Sequence, residues 1–440
     1  MGDKERLMKN ILIGMVLATF TITAAACPSG TKETSIEWKA KPVCLVEGQF
    51  VKDLVLTNNF SYHLSGRVLI GNDNKDNTTL SIQPGTFIAG ATGADFLVIT
   101  RGSKIHAEGN QKQPIVFTTY AKVPARGSWG GLVINGNAPI NCKKASSTFC
   151  EAEGEGSTGL YGGEKPEDNS GVLKYVRVEF AGYEISPENE LNGISFQGVG
   201  SGTTVDYVQV HMNADDGVEF FGGTVNVKHL VLTGNKDDSL DWTSGWTGNA
   251  QFVLIKQAND EGNNGIEADN LKSPMTAEPR SNPTLSNLTL IGSETATKGG
   301  AGVLLRRGTG VKIYNSIIKG FKKGGIDIDD AETFRNGHAY TNDMPGIHIT
   351  NTIFDNKNNF INDAGEENLG PWILAGMDQD ILFGSEPARE ELVTIDGNSV
   401  ASDMEFALPE DEDGFFEEVE FAGAVDSEGK DWTNGWIIKL

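Results

Sequence analysis

Gly193-Ile194-Ser195-Phe196, Gly217-Val218-Glu219-Phe220, Ser239-Leu240-Asp241-Trp242, Gly265-Ile266-Glu267-Ala268, Gly302-Val303-Leu304-Leu305 and Gly325-Ile326-Asp327-Ile328 are copies of one short word. Their first residues lie 24, 22, 26, 37 and 23 positions apart. Self-similarity at a period of about 20 to 50 residues is the mark of stacked-repeat architecture. Within most copies apolar and non-apolar residues alternate, the period of a strand with one buried face. The reading that follows is an all-β chain, a right-handed parallel β-helix in which each word opens a coil.

A second strand recurs between these lead words, at Tyr175-Val176-Arg177-Val178, Tyr207-Val208-Gln209-Val210, His229-Leu230-Val231-Leu232 and Asn287-Leu288-Thr289-Leu290. Weaker copies follow at Asn315 and Asn351. Gly or Asn close to each strand, as at Gly182, Asn213, Gly234 and Gly320, suits corners that need positive φ. The one long step contains Lys272 to Pro283, with prolines at 274, 279 and 283, and reads as a loop bulging from a coil. In register, the lead words form one buried column of Ile194, Val218, Leu240, Ile266, Val303 and Ile326.

The N-terminus carries a different signal. Lys4, Arg6 and Lys9 precede an apolar run from Ile11 to Ile22, and Ala24-Ala25-Ala26 precedes Cys27, the pattern of a secretory signal peptide. The organisation expected is a signal over 1–26, an N-terminal cap over 27–79, coils over 80–356 and further coils with a cap over 357–440. Export places the four cysteines in an oxidising compartment. Cys142 and Cys150 share one polar loop and are expected to form a disulfide. Cys27 has two readings: it pairs with Cys44, or as the residue after the cut it carries a lipid. The net charge of −24 excludes a general nucleic-acid binder and suits a protein that meets divalent cations.

Several words are similar to those of a known group. Ser81-Ile82-Gln83-Pro84-Gly85-Thr86, Trp129-Gly130-Gly131-Leu132-Val133-Ile134, Asp215-Asp216-Gly217 and Asp431-Trp432-Thr433-Asn434-Gly435-Trp436 resemble exported bacterial β-helix surface proteins and lipoproteins without assigned activity. A weaker resemblance is to β-helix polysaccharide lyases and polygalacturonases. The first resemblance implies fold and export, and it brings no catalytic residue; the location expected is the cell surface, the outer membrane or the extracellular space. The function expected is binding or structural, with a surface glycan or an outer-membrane protein as partner. The alternative is a polysaccharide lyase or glycoside hydrolase on the same scaffold.

The candidate site comes from stacking. One position after the buried column stand Ser195, Glu219, Asp241, Glu267, Leu304 and Asp327. Two residues further, Asp269 and Arg306 align. Carboxylates about 4.8 Å apart on adjacent coils repel by roughly 1 kcal/mol in water and about 3.5 kcal/mol at an effective dielectric of 20. Glu219, Asp241 and Glu267 therefore need solvent, raised pKa values or a bound cation, and an all-oxygen ligand set points to calcium. Asp215-Asp216 and Asp237-Asp238 stand one corner earlier on adjacent coils. Paired carboxylates serve glycoside hydrolysis, but no Arg or Lys is evident among them as a lyase base would be. The bland alternative is a solvated acidic stripe. Of the Trp residues, Trp242 reads as core and Trp246 as the better ligand candidate. The C-terminal tail reads partly as a cap on the solenoid end.

Overall fold

Alternation fixes which way each lead strand faces. In Ile194–Gln197, Val218–Phe221, Leu240–Thr243, Ile266–Asp269, Ala301–Arg306 and Gly324–Ile328 the first aliphatic residue points inward. The computed structural model describes residues 26–92, 94–142, 149–186, 189–338, 346–361, 382–383, 398–399, 408–409, 414–426 and 431–440. In it these strands pair in parallel, with Ile194 opposite Val218, then Leu240, Ile266, Val303 and Ile326. Every member of that column is fully buried. The expected register is the observed one. The column also runs back toward the N-terminus through Leu132 and Leu97 to Val68.

The second strand of each coil is long and bent. Thr204–His211 pairs with Gly171–Glu179 on one side and Asn226–Thr233 on the other. It turns at Tyr207, whose φ is 54°, so each coil has three walls around one apolar core. The bend recurs at Tyr175, His229, Phe252, Asn287, Asn315 and Asn351, all with positive φ. All of these bends but Phe252 fall on residues read from the sequence as strand starts, and four of the seven are aromatic. Inside, Phe196 stacks on Phe220 at 5.3 Å between ring centres, and Phe220 stacks on Trp246 at 4.0 Å. The chain is a right-handed parallel β-helix.

Parallel stacking begins within the stretch read as the N-terminal cap. Lys41–Phe50 pairs in parallel with Ser61–Ile70, and Leu54–Leu56 with Thr79–Ile82. Lys32–Trp38 pairs antiparallel to Lys41–Phe50 and covers the first edge. Cys27 and Cys44 form a disulfide beside that edge, and Cys142 and Cys150 form the other. A sulfur held in the Cys27–Cys44 bond is not available for a thioether-linked lipid. Residues 1–25, where the signal was read, lie outside the described residues. One short helix, Ala331–His338, follows the last lead strand. Among the described residues no helix is long and apolar enough to cross a membrane.

Of the described tail, Phe360 bridges in parallel to Ile326 and Leu382–Phe383 pairs in parallel with Ile353–Asp355, adding to the last coils, whereas 414–426 and 431–440 lie along the flank of the solenoid. Glu417 bonds Gln251, Phe421 bonds Asn287 and Ile438 bonds Gln209, so the segment runs beside the middle coils. The physical reason is its aromatic content. Trp432 and Trp436 find rings on the bends of those coils.

A buried acidic column as candidate functional site

Each lead strand is preceded by a tight corner, and in the first four of the six lead words the residue before the Gly or Ser is Asn192, Asp216, Asp238 or Asn264. The side chains at this corner bond the next coil. The backbone N–H of Asp238 donates to Asp216 Oδ1 at 2.9 Å, that of Asn264 to Asp238 Oδ1 at 2.5 Å, and that of Ala301 to Asn264 Oδ1 at 2.8 Å. This ladder explains why short oxygen-bearing side chains recur there. It also fixes the carboxylates of Asp216 and Asp238 against the outward face of the lead strands.

That face is not solvated. Asp216, Asp238, Glu219 and Asp269 retain only 8, 4, 9 and 4 % of their free exposure, and Asp241 and Glu267 are partly buried. The cover comes from the insertion after Asn135. Ile140, Tyr161 and Phe221 form a small apolar cluster, joined by Cys150 and Ala152. Thr158 Oγ1 donates to Gln197 Oε1 on the lead face. The Cys142–Cys150 bridge closes the base of this roof. The acidic stripe is therefore covered and not solvated, because the insertion, whose path no repeat encodes, folds back over the strands.

Burial moves the acids. The Asp215 carboxyl is pushed up to about 8 by desolvation, then by the neighbouring Asp237 charge, with Lys298 pulling the other way. Burial also lifts Asp216, Glu219, Asp238 and Asp241 well above the usual carboxylate range, the adjacent acids adding to it. Glu267 is raised by burial against the opposing charge of Arg306. Asn192 donates to Glu219 Oε2 at 2.6 Å, and the carboxyls of Asp238 and Glu267 share a hydrogen bond.

The structure regroups the expected cation ligands. One carboxylate oxygen from each of Asp216, Asp238 and Asp241 lies within 4.8 Å of the others. Asp241 Oδ1 and Asn192 Oδ1 are buried with no hydrogen-bond partner among the described residues. Asp241 belongs to both the expected triad and the observed one. Glu219 and Glu267 are drawn off, the first to Asn192 and the second to Arg306. The corner residues displace them because the corner points toward the strand face, a direction that strand alternation does not reveal.

Cations are present among the acids, contrary to the sequence reading. Lys298 Nζ is 2.8 Å from Asp237, Arg306 Nε is 2.8 Å from Asp269 and also pairs with Glu267, and Arg307 pairs with Asp269. Arg306 had aligned with Asp269 in the repeat, whereas Lys298 and Arg307 lie outside it. Trp246, the expected ligand ring, is fully buried and donates its Nε1–H to the Val225 carbonyl. It is core, as Trp242 is.

A solenoid of stacked parallel strands defines the class, and the family comparison agrees with that scaffold. The chain belongs to the family of pectate-lyase-like beta helix domains, whose model matches residues 48–379. No curated protein and no solved structure matches the chain.

Proposed function

We propose that this chain is an exported, surface-located β-helix protein that binds a ligand without transforming it, and that a divalent cation of the calcium type seats among Asp216, Asp238 and Asp241. The observation that carries the reading is the convergence of carboxylate oxygens from the buried Asp216 and Asp238 and the partly buried Asp241 within 4.8 Å, beside an unpartnered Asp241 Oδ1. With solvent excluded, such a group holds either protons or a cation. Oxygen-only ligands on a rigid corner suit calcium, with water and backbone carbonyls completing six to eight ligands. Cation binding displaces the protons, so its affinity rises with pH. The signal-like N-terminus, the two disulfides and the charge of −24 support export.

Calorimetric titration of the purified protein with calcium at pH 6 and pH 8 tests this. One site is expected, tighter at pH 8, and lost in an Asp216→Asn/Asp238→Asn variant. No heat at either pH refutes the cation site.

A second reading is favoured by Lys298 and Arg306 standing among the acids, which is the arrangement an acid–base reaction on an acidic polysaccharide needs. A reducing-sugar assay and an ultraviolet assay for unsaturated products on acidic polysaccharides separate the two. Product that disappears in Lys298→Ala establishes catalysis, and none from the calcium-loaded protein supports binding alone.

A further inference from the structure

The bends of the coils carry an unusual column. Tyr175, Tyr207, His229 and Phe252 occupy positive φ of 49°, 54°, 49° and 60°, followed by Asn287, Asn315 and Asn351 in the same register. Asn tolerates this region because its short side chain bonds locally, whereas bulky rings are outliers there. Such conformers persist where the surroundings hold them, and they gather at ligand-holding sites. Here the rings stack on one another at 4.4, 4.2 and 5.0 Å between centres.

Residues 431–440 lie on this column. Trp432 sets its edge against His229 at 4.9 Å, and Trp436 against Tyr175 at 5.7 Å. Trp436 Nε1–H donates to the Trp432 carbonyl, so a compact turn presents both rings on one side. The backbone beyond is read by side chains. Gln209 donates to the Ile438 carbonyl and accepts from the Ile438 N–H, both at 2.8 Å. Arg177 donates to the Trp436 carbonyl at 2.8 Å. Gln251, likewise fully buried, reads Glu417 in the same two-bond fashion at 2.8 Å. Among the described residues, 431–440 makes no backbone-to-backbone hydrogen bond with a coil. Asp431, Asn434, Gly435, Lys439 and Leu440 remain exposed.

These contacts differ from those of a further coil: rings meet rings, and Gln209 and Arg177 side chains bond the main chain in place of a ladder. We propose that this flank is a peptide-binding groove, filled in the free protein by its own C-terminal segment, and that it receives a partner's segment bearing two aromatic residues four apart on a turn. The reading is independent of the acidic column, which lies on another wall.

A fluorescent peptide of residues 431–440 is the probe. The full-length Trp432→Ala/Trp436→Ala variant should keep the β-sheet circular dichroism of the parent and bind the peptide. The unaltered chain should bind it at least about tenfold more weakly, because its own segment competes at an effective concentration in the millimolar range. Adding Gln209→Leu to the variant should remove binding. In the unaltered chain, the Ile438 amide should exchange with deuterium at least about a hundredfold faster than those of Val208 and Leu230, because a docked ligand opens without unfolding its host. A variant that unfolds, a folded variant that ignores the peptide, or an Ile438 amide that exchanges only with the coil amides each overturns the proposal.

Discussion

Asp238 shows what a single side chain must reconcile at this site. Its Oδ1 accepts the Asn264 N–H, its carboxyl shares a hydrogen bond with Glu267, and Asp216 and Asp241 stand within 4.8 Å. A pair of ionised carboxylates at that separation repels by roughly 3.5 kcal/mol at an effective dielectric of 20. Asp238→Asn keeps the acceptor and removes the charge. Calcium-free variant at pH 8 should therefore melt higher than the parent, by about 1 to 3 kcal/mol of stability. Calcium should raise the melting temperature of the parent and leave that of the variant unchanged, as scanning calorimetry with and without chelator would read. Identical curves for both proteins in both conditions would reduce the column to a set of protonated corners.

At the level of elements, the lead strands and their corners carry both the core and the acids, and the insertion covers the acids. Leu240 is fully buried between Val218 and Ile266. Leu240→Ala should cost about 2 to 5 kcal/mol, and Leu240→Asp should give no soluble folded protein, since it buries an unpaired charge. A Leu240→Asp protein that melts like the parent would refute the register. The insertion behaves differently because it covers the strands without belonging to the stack. Its bridge closes an eight-residue step, so Cys142→Ser/Cys150→Ser should lose about 2.5 kcal/mol of roof stability by the chain-entropy relation. The coils should keep their circular dichroism, and the calcium titration should shift to higher concentration as the acids become wet. An unchanged titration would mean that the roof does not control the column.

For the whole molecule, the raised acids set the pH dependence. Each holds its proton in the folded chain at pH values where the unfolded chain, with ordinary carboxyls near 4, has lost it. The folded state then binds more protons, so stability is fully present below about pH 4. It is lost as pH climbs to the folded value, about 8 for Asp215. The chelated protein should therefore melt at progressively lower temperature from pH 4 to pH 8. Calcium should flatten that slope, because the ion replaces the protons. A melting temperature that rises with pH in chelator would contradict the burial-driven shifts.

The repeat words by themselves determined the coil period, the parallel register and the inward column from Ile194 to Ile326, because alternation along a strand and stacking between strands are both local rules. They also determined that Asp215, Asp216, Asp237 and Asp238 sit on adjacent corners beside Glu219 and Asp241. The tertiary structure alone decided what surrounds those acids. The roof from the insertion, the reach of Lys298, the pairing of Arg306 with Glu267, and the turn of Asp216 and Asp238 toward Asp241 all join residues through loops whose paths no periodicity encodes. The same holds for Trp246, drawn into the core by its stack on Phe220, and for the end of the tail, drawn to the flank by rings on the bends. Short-range alternation is written residue by residue, whereas burial of a charge depends on which distant segment comes to lie over it.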